Sequence, residues 1–239
     1  MRLDKLLANS GFGSRTEVKS LLKAGAVTVN DTRQKEAKYQ VNATQDKVEV
    51  HGELVVYEEF TYLMMNKPQG VVSATEDNWD ETVIDLLDAR DQLKKLFPVG
   101  RLDKDTEGLL LISNNGVLAH NLLSPKKHVD KTYFAKIDGV VTEADIAIFK
   151  AGVTISDNYT CKPAELAILA IENGISTVEI IIQEGKFHQV KRMFEAVDKQ
   201  VTYLKRLRMG TLELDAELAL GEYRPLTEDE LAGLIAKDK

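Results

Sequence analysis

Between Gly100 and Leu111 the chain reads GRLDKDTEGLLL, with Asp103 set between Arg101 and Lys104 and glycines at either side, Gly100 and Gly108. The apolar run Leu109-Leu110-Leu111-Ile112 follows at once, a pattern that predicts a buried strand. A carboxylate on a tight turn at the mouth of a core strand is rigidly aimed and partly desolvated. That suits a nucleophile or a base, and neighbouring cations keep it ionised. The same local pattern also fits a surface turn with solvated charges. Asp105 and Glu107 lie two and four positions beyond Asp103. Three carboxylates on one turn do not flank opposite sides of a scissile bond, which argues against a glycoside hydrolase. Asp105 is expected to order the turn through its own backbone bonds.

Further segments bear on the choice. Tyr62-Leu63-Met64-Met65-Asn66-Lys67-Pro68-Gln69-Gly70 precedes the turn; Lys131-Thr132-Tyr133, EGKFHQVKRMF from Glu184 to Phe194, and GEYRPLTEDE from Gly221 to Glu230 follow it. In this order the five segments resemble the ribosomal small-subunit pseudouridine synthase A family, over nearly the whole chain. The resemblance implies isomerisation of uridine to pseudouridine in small-subunit ribosomal RNA. Related branches acting on large-subunit RNA more often carry arginine at the Lys191 position and lack the His188-Gln189 pair, so the form here looks like the small-subunit branch. Two other readings are a synthase acting on large-subunit RNA and a non-catalytic RNA-binding ribosome assembly factor.

By that resemblance Asp103 is the nucleophile, Lys191 the cation that stabilises it, with Arg192 the neighbouring alternative, and Tyr133 the ring that stacks on the target uracil. Lysine supplies a point charge without the bidentate fork of arginine. A base stacked in RNA cannot reach a buried carboxylate and must be flipped out, at a cost of a few kcal/mol. Arg101 suits holding the backbone or filling the vacated space, and Lys67 a loop contact near the site. Lys126, Lys127, Lys131, Lys205, Arg206 and Arg208 could extend a phosphate track. The isomerisation needs no redox change and no external energy, so no cofactor is expected. The chain has no Gly-rich dinucleotide fingerprint, no P-loop and no closely spaced Cys/His ligands, and no metal is expected either.

The elements that must position these residues fall into an α+β pattern. At 239 residues, with 44% hydrophobic and 29% charged residues, the chain suits one sizeable domain plus a small one. The boundaries expected are 1–56 for an S-four-type RNA-binding domain, 57–60 for a linker and 61–239 for a catalytic domain. The catalytic domain should hold a mixed, largely antiparallel sheet flanked by helices. Residues 1–38 hold eight basic and four acidic residues, although the whole chain carries −7, as expected for an RNA-facing module on an acidic body.

In the module, Ser14-Arg15-Thr16-Glu17 is a capping box, opening a helix that ends at Gly25. Arg15, Lys19 and Lys23 recur every four residues along it and form one basic stripe, suited with Arg2 to phosphate contact. Beyond the linker, strands are expected at 62–65, 70–74, 109–113, 132–141, 153–155, 164–171 and 177–183. Helices are expected at 82–87, from 116 towards Leu123 (closed by Pro125), after Thr142, over 186–197 and after Thr227. No apolar stretch approaches the roughly 20 residues of a membrane helix. The start of the chain has no signal-peptide core, and the single Cys161 fits a reducing compartment. A cytoplasmic monomer working on ribosomal RNA, free or in a partly assembled small subunit, is the expectation.

Overall fold

A computed structural model describes residues 1–124 and 126–236. The chain packs as two compact units. One joins Met1–Thr61 to Ile84–Phe97; the other joins Tyr62–Val83 to the chain from Pro98 onward.

The first unit is built on the helices Leu3–Asn9 and Arg15–Lys23. They bury Leu3, Leu6, Leu7, Val18 and Leu22 against the strand residues Val27, Val29, Val48 and Val50. Apolar side chains at helical spacing meet valines at alternate strand positions, which is what binds two short helices to a small sheet. The sheet runs Thr32–Arg33, Val27–Val29, Val48–Val50, Glu53–Leu54, each neighbour antiparallel. The capping box forms: the Glu17 carboxylate accepts the Ser14 amide at 2.7 Å, and the Ser14 hydroxyl accepts the Glu17 amide at 3.4 Å. Gly25 follows the helix at φ +73°, a left-handed stop that glycine reaches without strain.

Ile84–Phe97 brings a third short helix, Ala89–Gln92, to this unit, its amides met by the Asp88 side chain. Arg90 ties it down: its guanidinium lies 4.4 Å from the Phe12 ring centre, Nε donates to Ser10 O and Nη1 donates to Glu53. The helix expected at 82–87 is replaced by turns. Thr82 is bridged to Val72, and the Val83 amide donates to Val72 O, so the backbone that would start a helix is already committed.

A mixed, largely antiparallel sheet of nine strands follows; Leu212–Glu213 pairs with Gln200–Met209 and Phe97–Val99 with Glu107–Ser113, and the other seven strands form a continuous path. Their order is Glu165–Glu172, Ile175–Ile182, Lys131–Asp138, Gln200–Met209, Glu107–Ser113, Tyr62–Lys67 and Tyr223–Pro225. The Gln200–Met209 strand runs parallel to Glu107–Ser113, with Gly108 opposite Arg206. Gly108 has φ +102°, and a Cβ there would stand 2.3 Å from Arg206 O, so the crossing of these two strands requires glycine. Every residue of Glu107–Ser113 is buried, whereas Ile175–Ile182 alternates, as expected of a central strand and a half-covered one.

Helix Glu143–Ala151 packs on Glu165–Glu172 and helix Gln189–Glu195 on Gln200–Met209. Their fully buried Phe149 and Phe194 rings meet at 4.9 Å, each burial worth roughly 2–3 kcal/mol. Thr227 and Glu230 close the capping box of the last helix, Glu228–Ala236. The proline expected to end the Gly116–Leu123 helix lies outside the described residues. Cys161 is a buried core residue.

The strand expected at 70–74 is an irregular brace instead. Gly70 turns at φ +86°, the Val72 amide donates to Glu81 O, and Ala74 N curls back to Val72 O. Two of its residues hold the turn that carries Asp103. Gly70 N donates to Lys104 O at 2.8 Å, and the Ser73 hydroxyl both donates to Leu102 O and accepts the Leu102 amide.

Candidate active site

Asp103 sits on the turn that feeds the fully buried strand Glu107–Ser113, and the turn is tethered from three sides. Thr106 N donates to Asp103 O at 3.0 Å; Ser73 fixes Leu102. Beneath them the Lys67 ammonium donates to the carbonyls of Pro68 at 2.9 Å, Asp103 at 3.1 Å and Thr106 at 3.0 Å. Lys67 ends the strand Tyr62–Lys67 and is completely buried. Burial pulls its ammonium down from 10.5 to about 8, against the attraction of Asp105, Asp103 and Glu107. Bonded to main chain in this way, Lys67 supports the turn from within and does not line the cleft.

Above the turn, an open cleft is lined by Arg101, Asp103, Tyr133, His188 and Lys191, with Ile182 and Leu204 as apolar wall. The Lys191 ammonium donates to Asp103 Oδ2 at 3.1 Å and to Asp105 Oδ1 at 2.6 Å. Burial disfavours that ammonium, yet its bonds to Asp105 and Asp103 raise it above the ordinary lysine value. Burial likewise opposes charge on Asp105, but the Lys191 bond and charge hold its carboxyl below the usual range. His188 Nε2 lies 3.6 Å from Asp103 Oδ1. The result is an anion aimed into a partly dry cleft, with its counter-charge built in, beside an aromatic ring. Tyr133 is nearly buried and stands on the strand next to Arg206 and Ile180.

Lys191, and not Arg192, reaches Asp103. Arg192 turns the other way, to the Ser156 hydroxyl and to Asp157 at 2.7 Å. Arg101 is exposed at the rim and makes no ion pair among the described residues. Arg15, Lys19 and Lys23 are exposed on their helix; Arg2 is engaged with the buried Asp4 at 2.5 Å. Lys131 and Arg206 are buried and bonded to carbonyls of Val129 and Leu109, which removes them from any surface phosphate track.

The other carboxylates are accounted for. Asp105 shares the Lys191 ammonium with Asp103, a partnership its turn position did not suggest. Glu107 is buried and accepts the Tyr203 hydroxyl at 2.6 Å. Two acids gripping one ammonium cannot face each other across a glycosidic bond. No group of three His, Cys, Asp or Glu able to hold a metal occurs among the described residues.

Comparison with known proteins adds to this geometry. The family described as RNA pseudouridylate synthase matches residues 61–196, and the S4 domain matches residues 1–48. The chain belongs to the RNA pseudouridylate synthase family. It is therefore an enzyme of the isomerase class carrying an RNA-binding S4 domain. Over 97% of its length it is 54% identical to a Bacillus subtilis protein called "Uncharacterized RNA pseudouridine synthase YtzG", covering 97% of that protein. It is 40% identical to Ribosomal small subunit pseudouridine synthase A of Vibrio cholerae over 98% of this chain and 99% of that one. It is also 37% identical to Ribosomal large subunit pseudouridine synthase B of Bacillus subtilis, over 98% of this chain and 96% of that one. A crystal structure of a pseudouridylate synthase superposes with a TM-score of 0.69 at 36% identity, covering 98% of this chain and 99% of that chain. No helix among the described residues is long and apolar enough to cross a membrane.

Sequence reasoning passed over two residues of the site and one that stacks beside it on His188. Ser73 looked like an ordinary strand residue, and only its hydroxyl's two bonds to Leu102 show it bracing the turn. Thr106 is buried at the cleft wall with its hydroxyl unbonded among the described residues. Phe187 lies inside the quoted EGKFHQ segment, but an exposed ring in a loop has no periodic signal.

Proposed function

We propose that this protein isomerises a specific uridine to pseudouridine in small-subunit ribosomal RNA, with Asp103 as nucleophile on a flipped-out nucleotide. The observation that carries the reading is the Asp103–Lys191 pair inside a cleft walled by Tyr133. In this mechanism Lys191 holds the carboxylate through its hydrogen bond, and the turn tethered by Lys67 and Ser73 fixes its aim. The N1–C1′ bond breaks, the uracil turns against the Tyr133 ring, and C5 joins C1′. The C5 proton passes to water and N1 takes one up, so the product is an isomer and no cofactor is consumed. Arg101 at the rim holds the RNA backbone or fills the space the base leaves. The basic stripe of Arg15, Lys19 and Lys23 engages phosphates. The substrate is ribosomal RNA, free or in a partly assembled small subunit, and the protein works as a cytoplasmic monomer.

The likeness to a large-subunit synthase favours a second reading, a target in large-subunit RNA. Tritium release from RNA labelled at uracil C5, followed by mapping of modified positions in both ribosomal RNAs, decides between them. Asp103→Asn should bind RNA and give the wild-type circular dichroism spectrum yet release no tritium. Undiminished release would remove Asp103 from the chemistry. RNA binding by the wild type without release from either RNA would favour an assembly factor.

A further inference from the structure

Phe187 is 72% exposed, an unusual position for a ring of that size, and its surroundings are built. Its ring stacks on that of His188, with centroids 3.7 Å apart and planes inclined by 19°. His188 in turn reaches Asp103 Oδ1 at 3.6 Å. The loop that carries both rings is closed by side-chain hydrogen bonds. Glu184 accepts the Gln189 side-chain amide at 2.9 Å and the Tyr159 hydroxyl at 2.7 Å, while Gln189 Oε1 accepts the Lys186 amide at 2.8 Å. Arg192 Nη1 caps the Phe187 carbonyl at 3.3 Å, and His188 is held at φ +49°. One face of the Phe187 ring is thus covered by His188, which lines the cleft, while most of the Phe187 side chain is exposed.

We infer that Phe187 and His188 form a stacking platform for a base adjoining the flipped uridine, holding the neighbouring nucleotide while the target enters the cleft. The inference rests on the synthase reading above and adds a contact outside the reacting nucleotide. Every base has a π-face, so such a ring binds without demanding one sequence. The unpaired Arg101 on the same cleft offers charge to the phosphate between target and neighbour. A stack already assembled in the protein loses little conformational freedom on binding, which favours affinity.

The test uses RNA oligonucleotides spanning the mapped target uridine, intact or with one abasic residue placed in turn at each flanking position. Affinity is measured by fluorescence anisotropy with the Asp103→Asn protein, so that no turnover intervenes. Adding Phe187→Ala should weaken binding of intact RNA about 10-fold, and should cost nothing further against RNA abasic at one flanking position. Phe187→Trp should keep the affinity and Phe187→Leu should not. Equal weakening across all the abasic RNAs, no weakening at all, or Leu performing as well as Trp would overturn the platform. A loss seen only with ribosomal particles and not with free RNA would overturn it too, marking a contact to protein. Tritium release by the otherwise wild-type chain tests the synthase reading separately, so the two can fail independently.

Discussion

Lys67→Met keeps the apolar stem of the side chain and removes the ammonium that the carbonyls of Pro68, Asp103, Lys104 and Thr106 share, Lys104 O being the longest at 3.5 Å. Bonds from a charged donor contribute about 1.5–3 kcal/mol each, so the three at 2.9, 3.1 and 3.0 Å amount to roughly 4–9 kcal/mol gross. Against this stands the cost of holding the charge away from water. A fall from 10.5 to about 8 corresponds to about 3.4 kcal/mol at 1.36 kcal/mol per pH unit. The substitution should therefore destabilise the second unit by about 1–5 kcal/mol at pH 7, and loosen the Asp103 turn. The pH dependence has a definite sign. Between pH 8 and 10.5 the unfolded lysine still holds its proton while the folded one has released it, so stability rises with pH. Wild type should gain up to about 3.4 kcal/mol over Lys67→Met across that window. Turnover should move oppositely, because a neutral amine keeps two N–H groups for four carbonyls. Urea unfolding of both proteins at pH 7, 9 and 10.5, with tritium release over the same range, reads both trends. A stability gap that stays constant with pH would refute the buried ammonium and the support assigned to it.

Lys191→Met strips Asp103 and Asp105 of their shared counter-charge, and kcat/KM for tritium release should fall about 100-fold or more; it should also let the Asp105 carboxyl rise from its lowered range, followed by carboxylate NMR titration. Gly108→Ala places a Cβ against Arg206 O where φ is +102°; a loss of at least ~3 kcal/mol in urea unfolding is expected from strain and clash together. Replacing Arg15, Lys19 and Lys23 with glutamine should weaken ribosomal RNA binding evenly across sequences. It should also flatten the plot of log K against log salt by about 2–3 units, while a normal slope would place the RNA elsewhere.

The parts of this fold that were legible in the sequence are those whose signal is local. The capping boxes at Ser14 and Thr227 and the apolar run at Leu109–Ile112 each form where the pattern set them, and the strand expected at 177–183 forms as Ile175–Ile182. Gly70–Ala74 misled because alternating small and apolar residues also suit an irregular segment whose amides are taken by Glu81 and Val72. Thr82–Leu87 misled for the related reason that its first backbone groups pair with Val72. At the site, Asp103, Lys191 and Tyr133 stood out by residue type and motif. The burial of Lys67 could not be read locally, since a lysine ending a strand is ordinarily solvated, and only the closing turn supplies the carbonyls that hold it. The shared grip of Lys191 on Asp105 also depends on segments 86 residues apart meeting in space.

The excursion of Ile84–Phe97 into the first unit means that the polypeptide crosses between the two units three times, at 61/62, 83/84 and 97/98. The N-terminal module is therefore stitched to the enzyme and cannot be detached as a cassette. Cutting after residue 56 would strand the Ala89–Gln92 helix, leaving Arg90 without Phe12, Ser10 and Glu53. The loosened stretch would run on to Phe97, four residues ahead of Arg101. Recombination that exchanges RNA-binding modules among such enzymes must carry both pieces together, and a deletion meant to remove recognition alone would disturb the chain leading into the Asp103 turn as well.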